Sequence, residues 1–320
     1  MSPLATGLVV LALVLGGGTL ATLVKAARHE ARTEATYPPQ GRIVTVDGHP
    51  VHAYVSGAGP DVVLIHGASG NLRDYTFDLA GRLSRHYRVI ALDRPGLGYT
   101  PRLPGPEPAS LEAQARLLSG AAAALGAERP LVLGHSYGGA VALAWAVHVP
   151  DRLSALVLLG AASNPWEAGL SLYYRLASHP WLGPVTVALI AAWVPDRVVT
   201  DAVAEVFEPQ PPPRGYAAHF GPGLALRRAT LRENALQRAA IKDEIIGMVP
   251  RYDAITVPTE ILHGTADRTV GLRIHSEPLA RQITHARLTR LAGVGHMPHH
   301  AEPEAVIEAV DRAAASAGLR

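Results

Sequence analysis

The stretch Leu131–Pro150, "LVLGHSYGGAVALAWAVHVP", decides the reading of this chain. It begins as an apolar β-forming run of strand length, LVLGH, and continues after Ser136 in residues that favour a helix. Gly134, Ser136, Gly138 and Gly139 occupy the join. Small residues there let a strand and a helix approach closely around a tight turn. Such a turn lifts the serine hydroxyl out of the sheet and places a helix N-terminus beneath it. A five-residue pattern also arises by chance, so its meaning rests on the surrounding segments.

Working outward, "DVVLIHG" (61–67), "RVIALD" (88–93) and "LSALVLLGAA" (153–162) are continuous apolar runs of the kind buried on both faces of a parallel sheet. Helical periodicity fills the gaps at 74–87 and 110–127, the second with Ser110 as N-cap. "RIVTVDGHPVHAYVSG" (42–57) reads as a hairpin turning at Asp47-Gly48. From about 164 to 251 the alternation stops, and the stretch is helical and aromatic, with a Pro-rich interruption at 208–216. It resumes with "TVPTEILHG" (256–264), "ARLTRLAGVGH" (286–296) and a final helix near 302–315. The expectation is an α/β domain over residues 41–320, built on a doubly wound, mostly parallel sheet with a helical insertion at about 164–251. Function then belongs at the carboxyl ends of the strands.

A serine hydroxyl is a poor nucleophile until a base takes its proton, and the base works best when an acid fixes its tautomer. Two later strand ends supply candidates: Asp267 in "EILHGTADRTV" and His296 in "RLAGVGHMPHH". The chain order Ser136, Asp267, His296 is the order a nucleophile elbow uses. Asp253 and Asp243 compete for the acid role; Asp267 is preferred because it follows the penultimate strand. An oxyanion needs donors, and the N–H groups of Ala68 and Tyr137 are the candidates, with His66 and Gly67 structural. His299 and His300 read as loop and helix-start residues near the pocket mouth. With His296 and His263 they lack the acidic partner and spacing of a metal motif, so no metal is expected. "RPGLG" (94–98) lacks the third glycine of a dinucleotide loop and reads as a turn, with Asp93 structural and tying the loop with Arg94. No organic cofactor is expected.

The segments "LIHGASGN", "ALDRPGLGYT", "GHSYGGAVALAWA", "HGTADRTV" and "GVGHMPH" resemble the α/β-hydrolase superfamily across nearly all of the chain from residue 42, the insertion excepted. The resemblance implies Ser136 as nucleophile, His296 as base, Asp267 as acid, Ala68 and Tyr137 as oxyanion donors, and the insertion as a mobile helical lid. Dehalogenases and epoxide hydrolases of that superfamily carry aspartate at the elbow, which Ser136 argues against. Esterases and lipases, C–C bond hydrolases acting on vinylogous diketones, cofactor-free perhydrolases and acyltransferases remain. The favoured expectation is a small-molecule carboxylic ester with an apolar part, since the insertion is aromatic. A reading of a different class is a non-catalytic, anchored binding module.

Lys+Arg number 29 and Asp+Glu 27, for a formal charge of +2 without a basic stripe, which speaks against a nucleic-acid partner. With no cysteine, a disulfide framework, a thiol nucleophile and a thiolate metal site are excluded. The segment 1–24 contains the charge-free run Pro3 to Val24, about 33 Å long as a helix and long enough to cross a bilayer. Lys25, Arg28 and Arg32 follow it, whereas a cleavable signal peptide ordinarily carries its charge in front. The expectation is an uncleaved single-pass membrane anchor with a cytoplasmic catalytic domain. The alternative is export after cleavage, since Gly16, Gly17 and Gly18 interrupt the run. Residues 25–40, polar and ending in Pro38-Pro39, read as a linker.

Overall fold

The computed structural model describes residues 2–105 and 109–320. Among these residues eight strands form one sheet: β1 (Arg42–Val46), β2 (His49–Ser56), β3 (Asp61–Ile65), β4 (Arg88–Leu92), β5 (Leu131–His135), β6 (Ala155–Leu159), β7 (Thr259–Gly264) and β8 (Ala286–Leu291). Their order is β1-β2-β4-β3-β5-β6-β7-β8. The hairpin turns where expected, with Val46 opposite His49 and the two loop residues Asp47 and Gly48 at φ 48° and 81°, the left-handed pair that matches the twist of the flanking strands. β2 runs antiparallel to β4, and the pairs from β4 to β8 are parallel.

The first helix, α1 (Pro3–Thr36), is one continuous rod. The three glycines do not break it, and the segment expected as a linker at 25–40 is helical as far as Thr36. "AARHEARTEA" consists largely of strong helix formers, and its charges are held by the insertion: Glu30 pairs with Arg228 at 2.7 Å, Glu34 with Arg227 at 3.1 Å and His29 with Asp196 at 2.8 Å. Its apolar half is almost wholly exposed, and α1 is long and apolar enough to cross a membrane, a property it shares with signal sequences.

Between β3 and β4 the expected single helix is two short ones, α2 (Arg73–Thr76) and α3 (Leu79–Leu83). Asp78 leaves the helical region at φ −149°, because the two pieces pack in different places. Phe77 meets Tyr216 of the insertion edge-on at 5.4 Å, while Leu79 and Leu83 lie against the sheet. α4 (Leu111–Ala124) is capped by Ser110, whose Oγ accepts the Ala113 N–H at 3.1 Å, and α5 (Tyr137–His148) follows β5. The helices α6 (Leu172–Ser178), α7 (Leu182–Trp193), α8 (Asp196–Phe207), α9 (Tyr216–Phe220), α10 (Pro222–Ala225) and α11 (Arg228–Met248) stand between β6 and β7, the place expected for the insertion. The chain closes with α12 (Ser276–Gln282), α13 (Pro298–Ala301) and α14 (Pro303–Ser316).

Strand residues alternate between two cores, as the period of two requires. Val63, Ile65, Ile90, Leu92 and Val132 face Leu118 and Trp145. Val62, Leu64, Val89, Ala91, Leu131 and Leu133 face Leu79, Leu83, Val306 and Val310. Both faces being covered, the central strands read as unbroken apolar runs.

Candidate functional site

The corner between β5 and α5 is built by steric necessity. A Cβ on Gly138 would lie 2.1 Å from the Ile65 carbonyl oxygen, and one on Gly134 2.3 Å from the Gly138 oxygen. Only glycine admits those approaches. Ser136 between them takes φ 54°, ψ −118°, a conformation that costs an L-residue about 1–3 kcal/mol. Its backbone is clamped: the N–H donates to the Leu159 carbonyl at 2.9 Å, and the carbonyl accepts from Gly139 N–H at 3.0 Å and Ala162 N–H at 3.2 Å. The corner thus aims the side chain into a cavity of about 1210 Å³ between the strand ends and the insertion.

Asp267 and His296 meet beyond the ends of β7 and β8. Asp267 Oδ2 lies 2.7 Å from His296 Nδ1, and an ionised carboxylate only accepts, so Nδ1 carries the hydrogen and Nε2 is left as the acceptor. Asp267 Oδ1 accepts from the Thr269 and Val270 N–H groups at 2.8 and 2.9 Å, and His263 Nε2 approaches Oδ2 at 3.2 Å. Burial raises the carboxyl pKa, but the bonds from His263 and His296 outweigh it and hold the group well below the usual carboxylate range. Ser136 and His296 line the same cavity; among the described residues no hydrogen bond joins them. Asp243, on α11, and Asp253, after its end, are exposed to water.

Ala68 lines the cavity beside Ser136, and Tyr137 opens α5. Among the described residues neither N–H has a protein acceptor. The Ala68 loop is held from both sides. His66, fully buried, accepts the Arg94 N–H on Nε2 at 3.0 Å and donates from Nδ1 to the Gly67 carbonyl at 2.9 Å. Burial, then the nearby Arg94 charge, lower its pKa to about 4. From the insertion, Asn234 accepts the Ser69 N–H at 2.8 Å and donates to Ser69 Oγ at 2.9 Å, which fixes Ser69 at φ 55°. The Arg94 side chain bonds to the His66 and Gly67 carbonyls, Gln114 and Gln237. Asp93 has other partners: His52, Leu72 N–H and Tyr99 N–H. It does tie the 94–100 turn, though not through Arg94.

A buried polar cluster in the cavity wall, with Asp74, His135 and Tyr216 among the lining residues, had no signal in the sequence. Asp74 Oδ1 accepts from Tyr216 Oη at 2.7 Å and His300 Nε2 at 2.8 Å, and Oδ2 from His299 Nε2 at 3.0 Å. His299 and His300, expected near the pocket mouth, are almost fully buried. The side chains that lie within metal-binding reach of one another are not His296, His299 and His300. They are Asp74, His135 and His299, and hydrogen bonds engage the Asp74 oxygens, while His135 Nε2 donates to the His296 carbonyl at 2.8 Å. The cluster instead braces the loop that carries His296 against α2 and α9. Its partners lie 142 to 226 residues apart in the chain, a distance no local pattern bridges.

The cavity wall is apolar and aromatic, with Trp166, Tyr173, Tyr174, Ile190 and Val203 among its residues. Arg238 is its cationic exception on the insertion. Its guanidinium lies 5.0 Å from the Trp166 ring centroid, and among the described residues no carboxylate pairs with it.

A parallel sheet with an antiparallel hairpin edge, a serine at a glycine-walled corner after the fifth strand, and a helical insertion over the strand ends define the α/β-hydrolase class. Residues 60–303 match the family described as the alpha/beta hydrolase fold, and the chain belongs to that family. The 2-hydroxymuconate semialdehyde hydrolase of Pseudomonas putida is 32% identical over 280 residues, covering 83% of this chain and 91% of that protein. Among solved structures, a putative lipase from Acinetobacter baumannii superposes with TM-score 0.69 at 20% identity, over 92% of this chain and 97% of the other. A bacterial membrane phospholipase A superposes with TM-score 0.61 at 22% identity, over 98% and 99%.

Proposed function

We propose that the chain is a membrane-anchored serine hydrolase that cleaves a carboxylic ester bearing an apolar group through an acyl-enzyme on Ser136. The observation that carries the reading is the strained Ser136 corner opening into a large apolar cavity shared with His296, whose Nδ1 is held by Asp267. In this reading His296 Nε2 takes the hydroxyl proton as Ser136 Oγ attacks the carbonyl carbon, and Asp267 stabilises the imidazolium. The free N–H groups of Ala68 and Tyr137 receive the oxyanion, each contributing about 10²–10³ in rate. His296 then protonates the leaving alcohol, and water repeats the sequence to release the acid. The insertion acts as the lid. α1 serves as an uncleaved anchor with Lys25, Arg28 and Arg32 on the cytoplasmic side; the superposition over α1 on a protein described as a membrane phospholipase A supports an anchored, lipophilic-substrate enzyme.

Arg238 and the 2-hydroxymuconate semialdehyde hydrolase relative favour a second reading, hydrolysis of a C–C bond in a vinylogous diketone that carries a carboxylate. An unpaired guanidinium in an apolar wall suits such an anion. The test is a fluorophosphonate probe followed by a substrate panel, with full chain in detergent. Labelling of the wild type and not of Ser136→Ala is expected, and equal labelling of both overturns the hydrolase assignment. Esters of increasing acyl length, run beside a vinylogous diketone, separate the two readings by kcat/KM.

A further inference from the structure

Among the described residues, the outer face of α7 is left exposed. Leu182, Val185, Leu189 and Trp193 recur at helical spacing and are 50%, 59%, 49% and 55% exposed, and Trp181 just ahead of them is 84% exposed. Leu172 of α6, 66% exposed, adds to the apolar surface of the insertion. α7, "LGPVTVALIAAW", contains no charged residue, whereas a helix with one face in water ordinarily carries charge there. Its inner face is occupied: Val187 and Ala191 are buried with Ala26 of α1, and Ile190 lines the cavity.

The contacts of Trp193 give this stripe a level. Its Nε1–H donates to Thr22 Oγ1 at 3.3 Å, and Lys25 Nζ lies 3.7 Å from its ring centroid. Thr22 belongs to the charge-free run of α1, and Lys25 is the first charge after it. Trp193 therefore sits where the apolar run ends, the depth at which tryptophan gathers in membrane proteins.

We propose that the outer face of α7, with Trp181 ahead of it, seats in the interfacial layer of the bilayer that α1 crosses, so that one helix separates the cavity from lipid. The proposal rests on reading α1 as an anchor. The chosen occupant is lipid because the stripe is continuous with the lipid-facing run of α1 and carries the aromatic and Lys pattern of a bilayer boundary. Docking there brings the cavity to the phase in which an apolar ester is dissolved.

The chain has no cysteine of its own, so single cysteines report position directly. Full-length Val185→Cys and Leu189→Cys, Leu13→Cys in α1 and Glu308→Cys on α14 are each labelled with an environment-sensitive fluorophore. They are reconstituted into vesicles of phosphatidylcholine with a minority of phosphatidylglycerol, with and without lipids brominated on the acyl chain. The expected result is a blue-shifted emission quenched by brominated lipid at 13, 185 and 189, and a water-like, unquenched emission at 308. Quenching at 13 with water-like emission at 185 and 189 overturns the docking while leaving the anchor intact. Blue-shifted emission at 185 and 189 without quenching also overturns it, since a second protein copy then covers the face. Water-like emission at 13 refutes the anchor, and the docking proposal falls with it.

Discussion

Asp267→Asn tests the proposed chemistry most sharply, because it alters one atom and keeps the two backbone bonds that Oδ1 accepts. The amide oxygen still accepts the Thr269 and Val270 N–H groups that Oδ1 accepts now. The NH₂ group then occupies the position of Oδ2, 2.7 Å from His296 Nδ1. A donor there forces Nδ1 to become the acceptor and moves the hydrogen to Nε2, the nitrogen that receives the serine proton in the proposed mechanism. The tautomer is wrong and the imidazolium has lost its counter-charge. Expected is a fall in kcat/KM of about 10³–10⁴-fold, or roughly 4–5.5 kcal/mol of transition-state stabilisation. The stability cost is smaller, about 1–2 kcal/mol for the exchanged hydrogen bonds. The assay is kcat/KM on a chromogenic ester in detergent, beside a urea midpoint for the same preparation and Asp253→Asn as the exposed control. A folded Asp267→Asn enzyme with near-wild-type turnover refutes the acid role. If Asp253→Asn lost activity instead, the role would move there.

Gly138→Ala places a methyl 2.1 Å from the Ile65 oxygen and 2.5 Å from the His66 oxygen; both are backbone, so a destabilisation of about 3 kcal/mol or more is expected, and an unchanged denaturant midpoint would contradict the corner's steric account. Tyr216→Phe removes the hydroxyl that donates to buried Asp74 at 2.7 Å and is expected to cost about 1–3 kcal/mol, read from urea unfolding against wild type. His66 and His275 have folded pKa values lowered to about 4, chiefly by burial, so the unfolded chain binds more protons between pH 6.5 and 4. Their contribution is whole above about pH 6.5 and is lost as pH falls through 4, roughly 3 kcal/mol for each. Tm should drop across that window, and a flat profile would show that neither histidine is held neutral. Fractionation of cells is expected to find the full-length chain in membranes, whereas a shortened soluble protein would establish signal cleavage.

Local patterns carried much of the architecture. The Asp47-Gly48 turn, the buried strand runs and the Ser110 cap were legible because each depends on residues within a few positions of one another. The split of the 74–87 helix was not, because Phe77 answers to Tyr216, which is distant in sequence. The continuation of α1 through the expected linker was legible only in part: its helix formers were visible, but Arg227, Arg228 and Asp196, which hold its charges, belong to the insertion.

By itself the sequence determined the order of strands and helices, the glycine-walled corner at Ser136, and the residues Asp267 and His296 at later strand ends. Periodicity, turn chemistry and chain order are local or one-dimensional properties, and they suffice for those. Only the tertiary structure decided that Asp267 and His296 share a hydrogen bond, that Asp74 braces the His296 loop through His299 and His300, and that Trp193 lies where the apolar run of α1 ends. Each of these depends on a distance between segments remote in the chain, and such distances are set by how the layers pack.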